Sequence, residues 1–404
     1  MRLFDRKHEA MPRETLGQFQ LERVQALVAR LKRNVRRYRE TLGDLKLESL
    51  AELPRLPMTE PEHLVAAFPY GMFALPLAEV IRLHSTVGPR GRPLVIGHTR
   101  NDLTHWGRLA ARQLTAAGAT SHDVIQICYE GGVFRGGTGY TMGAEHIEAS
   151  VIPEDPFHIE YQLAMLQNYR VTVLITTPSN ARDLAELLAA KRIDPQSLSL
   201  RVVLLSRPVS GAERADLETG LFAKVRCNFG LAEILDPGFC VQCAQGRFHV
   251  NEDHFLAECV GGELVVTTLC REAMPLLRYR TRVSCSLRAE RCPCGRTGIV
   301  IEPGERLDGR LRVDETLLYP EQIADVLAGT RAAGEPFQIE IADRRVVILL
   351  QVTPRLFGDA VRVLGDLQQH IEAEFLARLG VKAEVRYVGR LGAGGVPGRA
   401  AGHS

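Results

Sequence analysis

The sequence lacks three features that would place it in a membrane, secreted or nucleic-acid-binding class. No uncharged apolar stretch approaches the roughly 18 residues that a membrane span requires. The first residues mix acids with bases and have no apolar centre, which is not the pattern of a signal peptide. The net charge is only +2, so composition gives no sign of nucleic-acid binding. We therefore expect a cytoplasmic protein that binds neither membrane nor nucleic acid.

The 404 residues are more than one compact core usually holds, and their pattern predicts two domains. Between residues 124 and 205, short apolar runs alternate with helical periodicity, the rhythm of a parallel sheet covered on both faces. Residues 226–287 are turn-rich and predict a small β element. After a polar, glycine-flanked segment at 304–309, the pattern predicts a small α+β domain and a mobile glycine-rich tail. The predicted domains are 1–305 and 306–404.

The nine cysteines are unevenly distributed, and most lie between Cys227 and Cys294. Such clustering in a cytosolic protein indicates metal ligation rather than disulfides. Zinc prefers four tetrahedral sulfur or nitrogen ligands, and the segment at about 240–296 supplies three sulfurs and one imidazole. The predicted ligands of this closed, structural site are Cys243, His249, Cys292 and Cys294. Cys240 is a rival ligand because Cys240-x2-Cys243 is also zinc-like, and free buried thiols are the alternative interpretation.

Nine short motifs follow one another along the chain. They are Gly91-Arg92-Pro93, Gly143-Ala144-Glu145, Thr177-Pro178-Ser179, Phe229-Gly230-Leu231-Ala232-Glu233, His249-x2-Glu252-Asp253-His254-Phe255, Gly262-Glu263-Leu264-Val265, Leu277-Arg278-Tyr279-Arg280-Thr281-Arg282, Cys292-Pro293-Cys294-Gly295-Arg296 and Tyr319-Pro320-x2-Ile323. With these motifs in order, nearly the whole chain resembles the phenylacetate-coenzyme A ligase family of the adenylate-forming superfamily. The resemblance implies an α/β adenylate-forming fold with mainly parallel sheets, a small β element and a small mobile C-terminal domain.

The resemblance also implies an activity. Such enzymes use Mg²⁺ and ATP to convert a carboxylic acid into an acyl-adenylate, and a thiol, usually coenzyme A, then takes the acyl group. We expect the acid to be aromatic, and a carrier-protein thiol or an amine is an alternative acceptor. Members of the family often pair as dimers, so a homodimer is a further expectation.

The family's functional positions map onto particular residues of this chain. The nucleotide residues implied are Gly88, Gly91 and Arg92 in the phosphate loop, Phe229 and Gly230 beside adenine, Glu233 for Mg²⁺, and Arg306 and Asp308 at the hinge. The acid pocket implied comprises Tyr140, Gly143, Ala144 and Glu145, together with Phe229 and the turn at 129–140. Arg399 stands nearest the place of the family's catalytic lysine.

Several residues depart from the family's pattern. Val87 and Pro89 replace hydroxyl residues of the phosphate loop, and Pro89 also lacks an N–H donor. Val283 replaces the aspartate that accepts the ribose hydroxyls, and the only lysine beyond residue 305 is Lys382. An ordinary turn is the alternative interpretation of the loop, as a packed core turn is for the Phe229 motif. Two other functions therefore stay open: a catalytically silent fold that binds a nucleotide, an acyl group or a partner protein, and an acyltransferase that accepts a preformed activated acyl group.

Overall fold

The computed structural model describes residues 2–128, 137–152, 158–353, 361–392 and 396–399. The chain divides into two compact units: Met1–Val87 with Pro93–Glu305, and Gly88–Arg92 with Arg306–Ser404. The division into domains 1–305 and 306–404 stays a prediction. Among the described helices, none combines the length and the apolar character needed to cross a membrane.

The first unit begins with four helices, and the longest of them packs on the core through Val24, Leu27 and Leu31. They are α1 (Arg6–Glu9), α2 (Arg13–Asn34), α3 (Arg36–Thr41) and α4 (Pro61–Ala66). Residues 15–40 carry helical periodicity throughout, but extended backbone at Val35 separates α2 from α3. Residues 44–52 also carry helical periodicity, but the structure forms a 3-10 helix over Leu50–Arg55, which contains Pro54, a residue that α-helix interiors exclude.

A five-stranded parallel sheet forms the centre of the first unit and follows an antiparallel hairpin. The hairpin is β1 (Arg82–Val87) and β2 (Pro93–His98), and the sheet strands are β3 (Val124–Cys128), β4 (Ser150–Ile152), β5 (Val173–Thr176), β6 (Val202–Leu205) and β7 (Lys224–Cys227), in the order β4-β3-β5-β6-β7. Their helices are α5 (Arg100–Ala117), α6 (Gly137–His146), α7 (Ile159–Asn168), α8 (Pro178–Lys191) and α9 (Gly211–Leu221). Every residue of β5 and β6 is buried, as expected for strands covered on both faces. The predicted α/β class is confirmed.

The region expected to be a small β element is a six-stranded sheet whose recorded strand pairs are antiparallel. Its strands are β8 (Cys240–Gln242), β9 (Phe248–Val250), β10 (Phe255–Val260), β11 (Glu263–Thr268), β12 (Tyr279–Arg288) and β13 (Val300–Arg306), in the order β10-β11-β12-β13-β9-β8. All six residues of β11 are buried, so this sheet adds to the core rather than lying on the surface.

The second unit has its own core around Phe337, Ile348 and Phe375. Its elements are the hairpin β14 (Leu311–Val313) and β15 (Thr316–Leu318), helices α10 (Pro320–Ala328) and α11 (Val361–Leu379), and strands β16 (Pro336–Ala342), β17 (Arg345–Gln351), β18 (Ala383–Val388) and β19 (Val396–Arg399). The four strands form a mixed sheet in the order β18-β17-β16-β19. The tail was expected to lack regular structure, but β19 pairs antiparallel with Pro336–Ile339. Backbone hydrogen bonds to β16 therefore form a strand that the glycine-rich composition did not indicate.

Candidate functional site

The carboxyl ends of the parallel strands meet at one edge of the central sheet. Ligands of such sheets bind in the crevice outside this edge. Thr176 ends β5, and its hydroxyl donates to Cys128 O at 2.9 Å and accepts from Asn180 Nδ2 at 2.8 Å. These bonds fix two neighbouring strand ends. Residues 129–136, which follow β3 and include part of the predicted acid pocket, lie outside the described residues.

The segment after β7, residues 228–237, carries the Phe229 motif and is called the motif loop below. The Phe229 ring packs edge-to-face on Phe239 and Phe248, with ring centroids 6.0 and 6.4 Å away, and is 8% exposed. A Cβ at Gly230 would overlap Asp236 Oδ1, so this position requires glycine. Glu233 is buried in the same loop. The ring, glycine and carboxylate of the motif therefore lie together at the carboxyl edge.

Asp236, also in the motif loop, was missed by the sequence analysis. Asn228 Nδ2 donates to Asp236 Oδ1 at 2.5 Å. Burial raises the pKa of Asp236 to about 6, and nearby Glu233 adds to the rise, against the effect of the Asn228 hydrogen bond. The sequence offered one signal that Asp236 is buried, namely its apolar neighbours in the stretch Ile234-Leu235-Asp236-Pro237.

The phosphate loop uses its own backbone donors. Gly88 N donates to Arg92 O at 2.7 Å, Gly91 N to Gly88 O at 3.1 Å, and Arg92 N to Pro89 O at 3.2 Å. Pro89 has no N–H at all. A loop that holds phosphates directs such N–H groups at the ligand. In this conformation three of them are occupied within the loop.

Three of the four predicted acid-pocket residues serve helix packing. Tyr140 and Ala144 are fully buried in a cluster with strands of the central sheet. A Cβ at Gly143 would come within 2.8 Å of Ala110 Cβ. Gly143 therefore permits the close approach of α6 to α5, and these three positions are explained without a ligand.

Glu145 lies at the opposite edge of the central sheet from the motif loop. Ala149 N donates to Ala144 O at 3.1 Å, and Ser150 pairs with Val124, the first residue of β3. The end of α6 is therefore at the amino edge of the sheet, whereas the motif loop follows the carboxyl end of β7. The membership of Glu145 in one pocket with Phe229 stays a prediction.

The four predicted metal ligands come together. The ligand atoms of Cys243, His249, Cys292 and Cys294 all lie within 4.8 Å of one another, and all four residues are buried. Cys243 Sγ is 3.9 Å from Cys292 Sγ, and Cys294 Sγ is 3.4 Å from His249 Nε2. Gly295, with φ +80°, turns the chain directly after the two nearby thiols. Three sulfurs and one imidazole at this separation are a donor set suited to tetrahedral zinc.

The rival ligand Cys240 lies outside this cluster. Its Sγ donates to Phe229 O at 3.1 Å, and burial holds the pKa of its thiol well above the usual range. Cys240 therefore acts as a small core residue that supports the motif loop.

Groups around the cluster orient its ligands. His249 Nδ1 lies 3.0 Å from Gly298 O, which leaves Nε2 for the cluster, and Arg296 N donates to Cys294 Sγ at 3.5 Å. Hydrogen bonds from Cys243 and His249 lower the pKa of the Cys294 thiol, although burial opposes them. Such outer contacts are characteristic of metal-ligating histidines and cysteines.

A buried ionic network adjoins the cluster. Arg296 Nε donates to Glu9 Oε2 at 2.8 Å. Arg112 donates to both oxygens of Asp253 at 2.8 and 2.7 Å and to Asn251 Oδ1 at 3.1 Å. Burial alone would raise the pKa of Asp253, but the hydrogen bonds from Arg112 lower it to about 2. The network ties the cluster to α1 and α5.

Comparison with known proteins identifies the family. No protein-family model matches the chain. The phenylacetate-coenzyme A ligase of Thermus thermophilus is 37% identical over 354 residues, which are 82% of this chain and 80% of that protein. The ligase of the same name from Pseudomonas putida is 32% identical, over 81% and 79% of the two chains. The chain belongs to the phenylacetate-coenzyme A ligase family.

A solved structure agrees with this assignment at the level of the fold. A 2-hydroxyisobutyryl-CoA ligase, crystallised with 2-HIB-AMP and CoA, superposes with a TM-score of 0.85 at 20% identity. The match covers 95% of this chain and 88% of that one. The predicted adenylate-forming fold is therefore confirmed.

Within this member of the phenylacetate-coenzyme A ligase family, two other predicted nucleotide positions have partners of their own. Arg306 Nη2 and Nε donate to Asp308 at 2.6 and 3.0 Å, and Arg310 Nε lies 2.9 Å from the same carboxylate. Val283 is 4% exposed and packs in the main core, so it offers no acceptor. Arg399 lies in β19 opposite Pro336, and its side chain is outside the described atoms.

Proposed function

We propose that this chain activates a carboxylic acid with ATP to give an acyl-adenylate and transfers the acyl group to coenzyme A. The observation that carries the proposal is its identity to phenylacetate-coenzyme A ligases over about four-fifths of both chains. The Phe229 motif at the carboxyl edge of the sheet supports it, because ligands of such sheets bind there.

The motif loop supplies the groups that the first step requires. The buried Glu233 carboxylate offers the oxygen ligands that Mg²⁺ prefers, and Mg²⁺ would neutralise charge on the phosphates. Phe229 and Gly230 would accommodate adenine. Arg92 and Arg399 supply cations in a chain with few lysines, and Arg399 would take the role of the family's lysine.

The Cys/His cluster would hold one structural zinc ion. Four protein ligands close the site, so no position is open for water or substrate. Zinc there would join the β8–β9 hairpin to the loop that carries Cys292 and Cys294, through Cys243 directly after β8 and His249 in β9.

Finer features of the reaction are part of the same proposal. The acid would be aromatic, and a carrier-protein thiol or an amine is the alternative acceptor to coenzyme A. A cytoplasmic homodimer is the form in which we expect the enzyme to work.

Two observations favour a second function. Three backbone donors of the phosphate loop are occupied within the loop, and Val283 cannot accept a ribose hydroxyl. Loss of several transition-state contacts slows catalysis strongly, since each is worth ~10²–10³ in rate. A chain with these losses would bind a nucleotide, acyl group or partner protein without turnover, or accept a preformed activated acyl group.

Pyrophosphate release from Mg-ATP tests the first proposal against the second. The protein is assayed with a panel of aromatic and aliphatic acids, with and without coenzyme A. Acid-dependent release, reduced ~10²–10³-fold by Glu233→Gln, is the expected result. If folded, metal-loaded protein releases no pyrophosphate with any acid of the panel, that result would contradict ligation and favour the second function.

A further inference from the structure

The N-terminal segment (residues 5–13) packs on the cysteine loop (residues 292–298), which carries two of the four proposed metal ligands. Thr297 N donates to Glu9 O at 3.1 Å, and Thr297 Oγ1 donates to Met11 O at 2.7 Å. The buried ion pair between Glu9 and this loop, described above, adds a charged contact. Because main-chain atoms take part, the interface depends on the shape of the loop as well as on its side chains.

The shape of the cysteine loop depends in turn on the Cys/His cluster. Residues 289–299 form neither helix nor strand. Arg296 N donates to Cys294 Sγ at 3.5 Å, and His249 Nδ1 lies 3.0 Å from Gly298 O. Two ligands of the cluster therefore hold the same loop that the N-terminal segment contacts. Ligation to one ion would fix the positions of these ligands relative to one another.

The N-terminal segment also covers one side of the cluster. His8 and Glu9 line a small cavity together with His249, Gly298 and Arg296, and this cavity has room for about one water molecule. The packing between the segment and a proposed metal ligand is therefore close. The segment restricts access to His249 from this side.

We infer that metal occupancy of the Cys/His cluster controls docking of the N-terminal segment. The inference rests on the proposed zinc site and gives that site a conformational role. Coupling between two sites is reciprocal, so if the ion favours docking, docking favours retention of the ion by the same factor. A chain that has lost its ion therefore presents residues 5–13 to solvent, and a chain with a weakened interface binds its ion less tightly.

Hydrogen–deuterium exchange of the full-length protein tests the effect of the ion on the segment. Exchange of the amides in residues 5–13 is measured in zinc-loaded protein, after removal of the ion with a chelator, and after zinc is added back. Removal should speed this exchange about 5- to 150-fold, and added zinc should restore protection. Strand β5, which is fully buried in the central sheet, is the internal reference and should stay protected throughout.

The affinity for zinc tests the effect of the segment on the ion. Glu9→Gln removes the charge that faces the cysteine loop and leaves the contact between Asp5 and Arg112 in place. The dissociation constant for zinc, measured by competition with a chelating dye, should rise at least about fivefold. Glu14→Gln is the matched control, because Glu14 is exposed and lies just beyond the segment, and it should leave this constant unchanged.

Each outcome decides the inference. If exchange of residues 5–13 is unchanged on removal of the ion, or if exchange of β5 rises equally because the whole unit unfolds, the inference is overturned while the zinc site stands. Equal dissociation constants in Glu9→Gln and Glu14→Gln would overturn it as well. If elemental analysis finds no zinc in the natural protein, the zinc site fails and the inference fails with it. Pyrophosphate release is measured separately, so the proposed ligation is judged on its own.

Discussion

The Cys/His cluster and the phosphate loop use their polar groups in opposite ways. In the cluster, four ligand atoms lie within 4.8 Å of one another and an outer contact orients His249. In the loop, the N–H groups of Gly88, Gly91 and Arg92 are consumed by the loop itself. Both regions were predicted as binding sites from short motifs. The difference teaches that a motif fixes residue types, whereas binding depends on whether their atoms stay available.

The largest effect is expected at the cluster. Cys292→Ser removes one of four ligands, so zinc content should fall from about one ion per chain to well below one, and thermal unfolding should occur at a much lower temperature. Elemental analysis and a melting curve measure both. Cys240→Ser is the matched control, because Cys240 is buried but lies outside the cluster. Unchanged zinc content in Cys292→Ser would refute the site.

The ionic network beside the cluster should show the next largest effect. Arg112→Met leaves the Asp253 carboxylate buried without its partner, which should cost about 3–5 kcal/mol of the free energy of unfolding near pH 7. Arg36→Met, at an exposed pair with Glu40, should leave the free energy of unfolding close to that of the natural protein. Urea titrations measure the free energy of unfolding of both variants. An equal loss in the two would contradict the claim that burial makes the Arg112–Asp253 pair more important than the exposed pair.

The same pair makes stability depend on pH. The pKa of Asp253 is lowered to about 2 from its ordinary value of 3.8, so the contribution of the Asp253–Arg112 pair is present above pH 4 and is lost as pH falls through about 2. The difference in unfolding free energy between the natural protein and Arg112→Met should therefore shrink over this interval. A difference that stays constant from pH 7 to 2 would exclude the pair as its source.

A smaller effect, confined to turnover, is expected from the C-terminal cation. Arg399→Ala should lower acid-dependent pyrophosphate release by ~10²–10³-fold, because a positioned cation stabilises charge in the transition state. Arg399→Lys should retain a larger part of the rate, since the cation is preserved. The melting temperature of both variants should stay close to that of the natural protein. Full activity in Arg399→Ala would exclude this role.

The smallest effect is a gain in the phosphate loop. Pro89→Ser restores an N–H donor and a hydroxyl, and one added hydrogen bond should raise kcat/KM for ATP by no more than about tenfold. Pro195→Ser is a matched control, because Pro195 also opens a three-residue 3-10 helix. An equal gain in the control would show that the proline, and not the loop, matters.

The sequence predicted those features that local pattern determines. Apolar runs identified β5 and β6 because both faces of these strands are buried. The spacing of Cys243 and His249 predicted that these residues lie in one cluster, because a short turn brings them together. The resemblance placed Phe229 and Glu233 in one loop because they are neighbours in sequence.

Other features depend on contacts that local pattern does not encode. The strand β19 forms in a glycine-rich tail because β16 offers a free edge. The position of Glu145 near the amino edge of the central sheet depends on how α6 packs, which a short motif does not reveal. Asp236 was missed because its pKa is raised by the packing around it and not by an adjacent residue in sequence.

The ion pair between Glu9 and Arg296 has a consequence for how the protein folds during its synthesis on the ribosome. These residues are 287 positions apart, and both are almost fully buried in the folded chain. A ribosome adding about 5–20 residues per second needs roughly 15–60 s to reach the arginine after making the glutamate. A buried carboxylate without its counterion is unfavourable. The first ten residues therefore stay exposed to solvent until nearly the entire first unit has been synthesised. An antibody against them should recognise nascent chains but not the finished protein.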